Sequence, residues 1–145
     1  PAMIALTERL TELARQYGLV AVYAFGSRAG EIGARVRGEP AVATHPLSDA
    51  DIGVLPSPDR PLSPQDKVTL ALALEDILDV PRVDLVVLPE APPYLALEVV
   101  RGELLCATDP DAEAEYQLYV LRRAGDLAPF QRQRLRMILE GEAIG

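Results

Sequence analysis

Apolar positions change their spacing several times along the chain, and each change marks an element. Leu6, Leu10, Leu13 and Ala14 recur at helical spacing, so residues 6–17 read as an amphipathic helix, with Gly18 placed to end it. Residues 20–25 follow as an unbroken apolar run with β-branched and aromatic members, which suits a strand covered on both faces. The run stops at Gly26-Ser27. Residues 28–47 then show no clear period and contain Gly30, Gly33, Gly38, Pro40 and Pro46, so they read as a long loop with at most a short helical turn at its start.

A second strand is predicted over 49–55. Pro56, Pro58 and Pro61 form a turn-rich connection to a helix that Ser63, Pro64 and Asp66 announce as N-cap, first helical residue and first-turn acid; it should run to about Leu78. Residues 83–88 form a third strand, apolar except for Asp84. A short helix over 94–101 leads through Gly102 into a strand at 103–107. Asp109-Pro110 opens another helix ending near Gly125, and residues 127–140 read as a last helix. This alternation predicts an α/β domain with a small mixed sheet, helices packed on it, some parallel pairing and a last strand free to be antiparallel. The core is expected over residues 1–108, with 109–145 as a helical extension of the same domain.

Composition narrows the function. The chain has 145 residues, 49% of them hydrophobic, and a net charge of −8. That length suits one domain. Its acidity argues against general nucleic-acid binding, which needs a basic surface, but a metal ion could still supply local charge for a nucleotide. Cys106 is the only cysteine, which excludes an intramolecular disulfide and a cysteine zinc cluster; beside Leu104 and Leu105 it reads as a buried thiol. No secretory signal or spanning apolar run is visible, so a soluble cytoplasmic protein is expected, and Pro1 in place of Met suggests a trimmed terminus.

Three acids stand where acids are costly. Asp49 and Asp51 are two apart on a strand, so their side chains leave on one face while Ala50 and Ile52 point the other way. Asp84 interrupts an apolar strand, where a carboxylate needs a partner or a metal. A hard divalent cation such as Mg²⁺ would hold all three together against their mutual repulsion. The plainer alternative is a turn at 48–51, with Asp84 paired to Arg82 or Arg101. Gly26-Ser27 adds a phosphate-binding feature: a strand that stops there presents free backbone N–H groups, allows close approach at Gly26 and offers the Ser27 hydroxyl.

In order, Phe25-Gly26-Ser27-Arg28-Ala29-Gly30, Ser48-Asp49-Ala50-Asp51-Ile52-Gly53-Val54 and Val83-Asp84-Leu85-Val86 resemble the minimal nucleotidyltransferase (MNT) family of the DNA polymerase β-like superfamily, over roughly residues 6–107. The resemblance implies that fold, with Gly26, Ser27 and Arg28 cradling the triphosphate of a nucleotide such as ATP. It implies Asp49 and Asp51 as ligands of two Mg²⁺ ions. Asp84 would hold one of these ions and help activate an acceptor hydroxyl. MNT proteins of the MntA type pair with a separate HEPN toxin, so the resemblance also implies an antitoxin that attaches AMP to a tyrosine of that partner. The chain itself holds no Arg-x4-6-His signature of the toxin. Alternative readings are a non-catalytic antitoxin that keeps the fold, and a small-molecule nucleotidyltransferase.

One departure from the family is the long link between Ser27 and Asp49, which carries Arg28, Arg35, Arg37 and His45. It reads either as a surface insertion or as a lid whose arginine reaches the phosphates, with His45 an exposed loop residue. Tyr116, Tyr119, Leu121, Phe130, Leu135 and Ile138 are expected to complete the core or to face a partner, beside the local basic group Arg122, Arg123, Arg132, Arg134 and Arg136.

Overall fold

Four strands lie side by side in the computed structural model, which describes residues 5–42 and 47–127; counted along the chain, the third lies beside the second, the second beside the first and the first beside the fourth. The chain enters through α1 (Leu6–Gln16) and turns at Gly18, whose positive φ of 67° suits glycine, into β1 (Leu19–Phe25). A 3₁₀ turn over Gly26–Arg28 leads into α2 (Ala29–Val36). Then come β2 (Ala50–Pro56), α3 (Pro64–Leu78), β3 (Val83–Val87), α4 (Pro93–Val100), β4 (Glu103–Ala107) and α5 (Pro110–Leu127).

Pairing is mixed, as the pattern predicts. β2 and β3 run parallel, joined by the helical crossover α3, while β1 is antiparallel to both β2 and β4. α3 begins as its sequence requires: the Ser63 hydroxyl accepts the Asp66 backbone N–H, and the Asp66 carboxylate accepts the Ser63 N–H in return.

The two faces of the sheet bury separate clusters. On one face Val22, Ala24, Ala50, Ile52 and Val54 pack with Leu10 and Leu13 of α1, Ile32 and Val36 of α2, and Leu70, Leu74 and Leu78 of α3. On the other, Ala21, Tyr23, Phe25 and Leu55 pack with Val99 and Val100 of α4 and with Val120 and Ala124 of α5. The central strand β1 is thus covered on both sides, which is why its sequence is apolar throughout. Cys106 is buried in the first cluster, and desolvation pushes its thiol up to about 11.

The stretch after Arg28 is more ordered than its glycines suggest. α2 occupies Ala29–Val36 because Ile32 and Val36, one turn apart, bury against the sheet, and Glu31 bonds both Arg28 and Arg35 along the helix. Tertiary burial here outweighs the low helix propensity of Gly30 and Gly33. His45 and the helix expected over 127–140, with Phe130, Arg132, Arg134, Leu135, Arg136 and Ile138, lie outside the described residues. Among those described, no helix is long and apolar enough to cross a membrane.

Candidate active site

One end of the sheet collects the acids. β1 finishes there at Phe25, and β2 and β3 start there. Asp51 lies opposite Phe25 in the antiparallel register and opposite Asp84 in the parallel one. Paired positions on adjacent strands stand about 4.8 Å apart. Asp49, two residues earlier and just ahead of β2, shares the Asp51 face. That face is the α4 side of the sheet: Ala50 and Ile52 point into the cluster beneath, whereas Gly53, next in line after Asp51, meets Val99 of α4.

Asp51 is the constrained member. It is half-buried, while Asp49 and Asp84 are exposed. Its carboxyl is held above the usual range, first by burial and then by the charges of Asp84, Asp49 and Glu98, in that order. The desolvation expected at Asp84 therefore falls on Asp51 instead, because Asp84 sits at the open start of the edge strand β3. Asp84 does not pair with Arg82; the Arg82 Nε lies 3.9 Å from Asp49, and both side chains are too exposed for the pair to add much.

Gly26 presses against this group. Its φ of 77° lies in the left-handed region, and any side chain there would collide with the Asp51 carboxylate. The turn thus brings backbone directly to the acids, with Ser27 exposed beside it. The donors are all carboxylate oxygens, the group repels itself without a counter-charge, and Gly26 leaves the approach open. Each property fits a hard divalent cation. As the side chains stand, no group of three or more His, Cys, Asp or Glu among the described residues is close enough together to hold a metal ion, so Asp49, Asp51 and Asp84 form an open set rather than a preformed three-ligand site. Mg²⁺ suits an open set, since it keeps waters or phosphate oxygens in its shell.

Arg28 departs from its expected place in the phosphate cradle. Only 2% exposed, it spends its guanidinium on the Glu31 carboxylate and the Ser48 carbonyl. Arg35 is bound to Glu31 and to the Leu78 carbonyl, and Arg37 pairs with Glu39 and Glu103. The arginines that a lid would send to the phosphates are thus engaged within the fold.

Two acids escaped the sequence reading. Glu98 was hidden as one polar position in an apolar helix, and its relation to Asp51 exists only once α4 lies across β2. Glu31 was legible in principle: Arg28, Glu31 and Arg35 stand at helical i, i+3 and i+7. An open apolar cavity of about 580 Å³, lined in part by Val20, Leu55, Val87 and Tyr116, lies at the other end of the sheet, where β1 starts and β2 and β3 finish. It takes no part in the acid site.

Comparison with known proteins bears on the fold and the family. The family model described as polymerase beta, nucleotidyltransferase matches residues 8–111. No curated protein matches the chain. Among solved structures, a toxin–antitoxin complex with AMP-PNP is similar at 25% identity and a TM-score of 0.61, over 92% of this chain and 98% of that one. An MntA–HepT toxin–antitoxin structure is similar at 23% identity and a TM-score of 0.58, over 92% and 97% of the two chains. The structure of a tri-AMPylated Shewanella oneidensis HEPN toxin in complex with MNT antitoxin contains a chain similar at 23% identity and a TM-score of 0.57, over 92% of this chain and 96% of that one. At that identity the last two speak to the fold alone. With the matched segment running from α1 past β4 and taking in the Gly-Ser turn and all three acids, the chain belongs to the polymerase β-type nucleotidyltransferase family.

Proposed function

We propose that this protein transfers a nucleoside monophosphate, AMP from ATP, to a hydroxyl acceptor, and that the acceptor is a tyrosine of a separate HEPN-type toxin that it thereby silences. The observation that carries the reading is the meeting of Asp51 and Asp84 across β2 and β3, with the backbone of Gly26 against the Asp51 carboxylate. The similarity to a toxin–antitoxin complex with AMP-PNP supports the nucleotide and a toxin partner; a HEPN toxin that carries AMP is found in complex with an MNT antitoxin of the same fold, and the tyrosine is our choice of acceptor.

Each residue has a physical task. The Gly26 backbone and the Ser27 hydroxyl receive the triphosphate oxygens. Asp49 and Asp51 would hold Mg²⁺, and Asp84 would add a ligand to it and take up the proton of the attacking hydroxyl. When bound there, Mg²⁺ would supply Lewis acidity and charge neutralisation. A new O–P bond forms at the α-phosphorus as its bond to the bridging oxygen breaks, and pyrophosphate departs with the electron pair. The protein's main contribution is to hold these parts in line.

Incubating the protein with ATP, Mg²⁺ and the product of the neighbouring gene, followed by mass spectrometry of both chains, tests the reading. An adduct of AMP mass on a tyrosine of the neighbour is expected, lost with Asp51→Asn. Neutralisation of the neighbour without any adduct would instead identify a passive antitoxin.

A further inference from the structure

Arg28 follows directly on the Gly26-Ser27 turn, yet its surroundings do not suit a ligand contact. Its Nε and Nη2 grip the two oxygens of Glu31 at 3.1 and 2.8 Å, and its Nη1 donates to the Ser48 carbonyl at 2.8 Å. The Glu31 side chain is only 7% exposed. One of its oxygens also accepts Arg35 Nη2 at 2.7 Å, and Arg35 Nη1 donates to the carbonyl of Leu78.

These anchor points have a common property. Ser48 immediately precedes Asp49, and Leu78 is the last residue of α3, the helix that feeds the strand carrying Asp84. One buried carboxylate and two arginines therefore tie the Gly-Ser turn to the approach of both acid-bearing strands. A buried ion pair of this kind is a poor source of net stability, because desolvation offsets most of its attraction. Its planar two-point geometry does fix direction.

We infer that Arg28 and Glu31 form a positioning pair that holds Ser48, and with it Asp49 and Asp51, in place against the Gly26-Ser27 turn. The pair makes the metal-binding geometry independent of the long link between α2 and β2. Ser48 is bonded at the far end of that link, so changes in between need not reach the acids. This inference rests on the nucleotidyltransferase reading above, and it gives Arg28 a different task from phosphate contact.

The two tasks predict opposite behaviour for Glu31→Gln. If Arg28 bound phosphate, weakening its buried partner would free the guanidinium, and nucleotide affinity would hold or rise. If the pair positions the acids, Glu31→Gln should resemble Arg28→Lys, which keeps the charge and loses the fork. The full-length protein and both single variants would be titrated by calorimetry with Mg²⁺ and AMP-PNP. The Mg²⁺ dependence of transfer and amide exchange at residues 48–52 of the metal-free protein would also be measured. Loss of a partner that orients metal ligands commonly costs about 10–100-fold in metal affinity or activity.

A rise of that order in the Mg²⁺ requirement is expected in both variants, with faster exchange at 48–52, while KM for ATP at saturating Mg²⁺ stays within about twofold. The double variant should be little worse than either single one. Should the buried substitutions unfold the chain, Arg35→Gln, at a position 31% exposed, releases the Leu78 tie and one bond to Glu31 while leaving the Arg28–Glu31–Ser48 contacts in place, and should raise the Mg²⁺ requirement more mildly. An unchanged requirement in the folded variants, or tighter nucleotide binding in Glu31→Gln, overturns the inference alone. A wild type that neither binds Mg-AMP-PNP nor transfers AMP removes the nucleotidyltransferase reading, and the inference with it.

Discussion

Asp51 is the acid that the site crowds. It combines partial burial with repulsion from Asp84, Asp49 and Glu98, and the backbone of Gly26 presses on its carboxylate. Asp51→Asn and Gly26→Ala should therefore both abolish transfer while moving stability in opposite directions. Without Mg²⁺ the Asn variant relieves repulsion and should be as stable as the wild type, or more stable by at most about 1 kcal/mol. The Ala variant has to adopt a left-handed φ and displace Asp51, at a cost of about 1–2 kcal/mol or more. Paired thermal melts in EDTA check the two signs, and a large loss of stability in Asp51→Asn would point to a structural acid. At this scale the sequence was informative about residue type and weak about surroundings. Asp49, Asp51 and Asp84 stand out from apolar strands in the bare string. The diversion of Arg28 to Glu31 and Ser48 does not, because the Ser48 contact bridges distant positions in the chain.

Helix α4 decides how much of the acid face stays open. Gly53 admits Val99, and Gly102 lets the end of α4 come down against the Ala24 carbonyl and Phe25, so the helix lies close over β2 and β1. Gly53→Ala would drive a methyl group into Val99. The expected cost is about 1–3 kcal/mol of overpacking, together with a displaced Glu98 and a measurable change in KM or kcat although the substitution touches no acid. Denaturant titration and steady-state kinetics on the same preparation check both. The helix-start residues Ser63, Pro64 and Asp66 announced α3, and periodicity revealed α1 through its clear apolar repeat. It missed α2, where two glycines mask a helix that exists because Ile32 and Val36 find a sheet to cover.

In the molecule as a whole, a buried polar contact ties α5 to the central strand. The Tyr23 hydroxyl donates to Glu113, which also accepts from Gln117 at 2.7 Å, and both Tyr23 and Glu113 are buried. Tyr23→Phe should cost about 1.5–3 kcal/mol, because it removes a hydrogen bond to a charged group. It should also loosen α5 before the rest of the sheet, as amide exchange along the helix would report. The contact has a pH signature. Burial, followed by the Glu113 hydrogen bond, raises the Tyr23 pKa above its ordinary value of 10.0. The folded state thus holds the phenolic proton more tightly than the unfolded chain, so this contribution is intact below pH 10 and is lost as the pH rises beyond it. Cys106 and Tyr116 add slopes of the same sign, so the diagnostic is a shallower alkaline decline in Tyr23→Phe than in the wild type. An equal decline would show that Tyr23 does not contribute.

Local patterning alone determined the order of strands and helices apart from α2, the three acids, the Gly-Ser turn and the buried thiol, because each depends on neighbours within a few residues. Family membership could be inferred from the same string, since the motifs keep their order. Tertiary structure decided that Asp51 faces Asp84, that Glu98 joins their field, and that Arg28 serves Glu31 and Ser48. Those outcomes depend on which strands pair and in what register, and on how closely α4 settles over Gly53. Such relations between distant stretches arise only when the sheet closes and its two faces are covered.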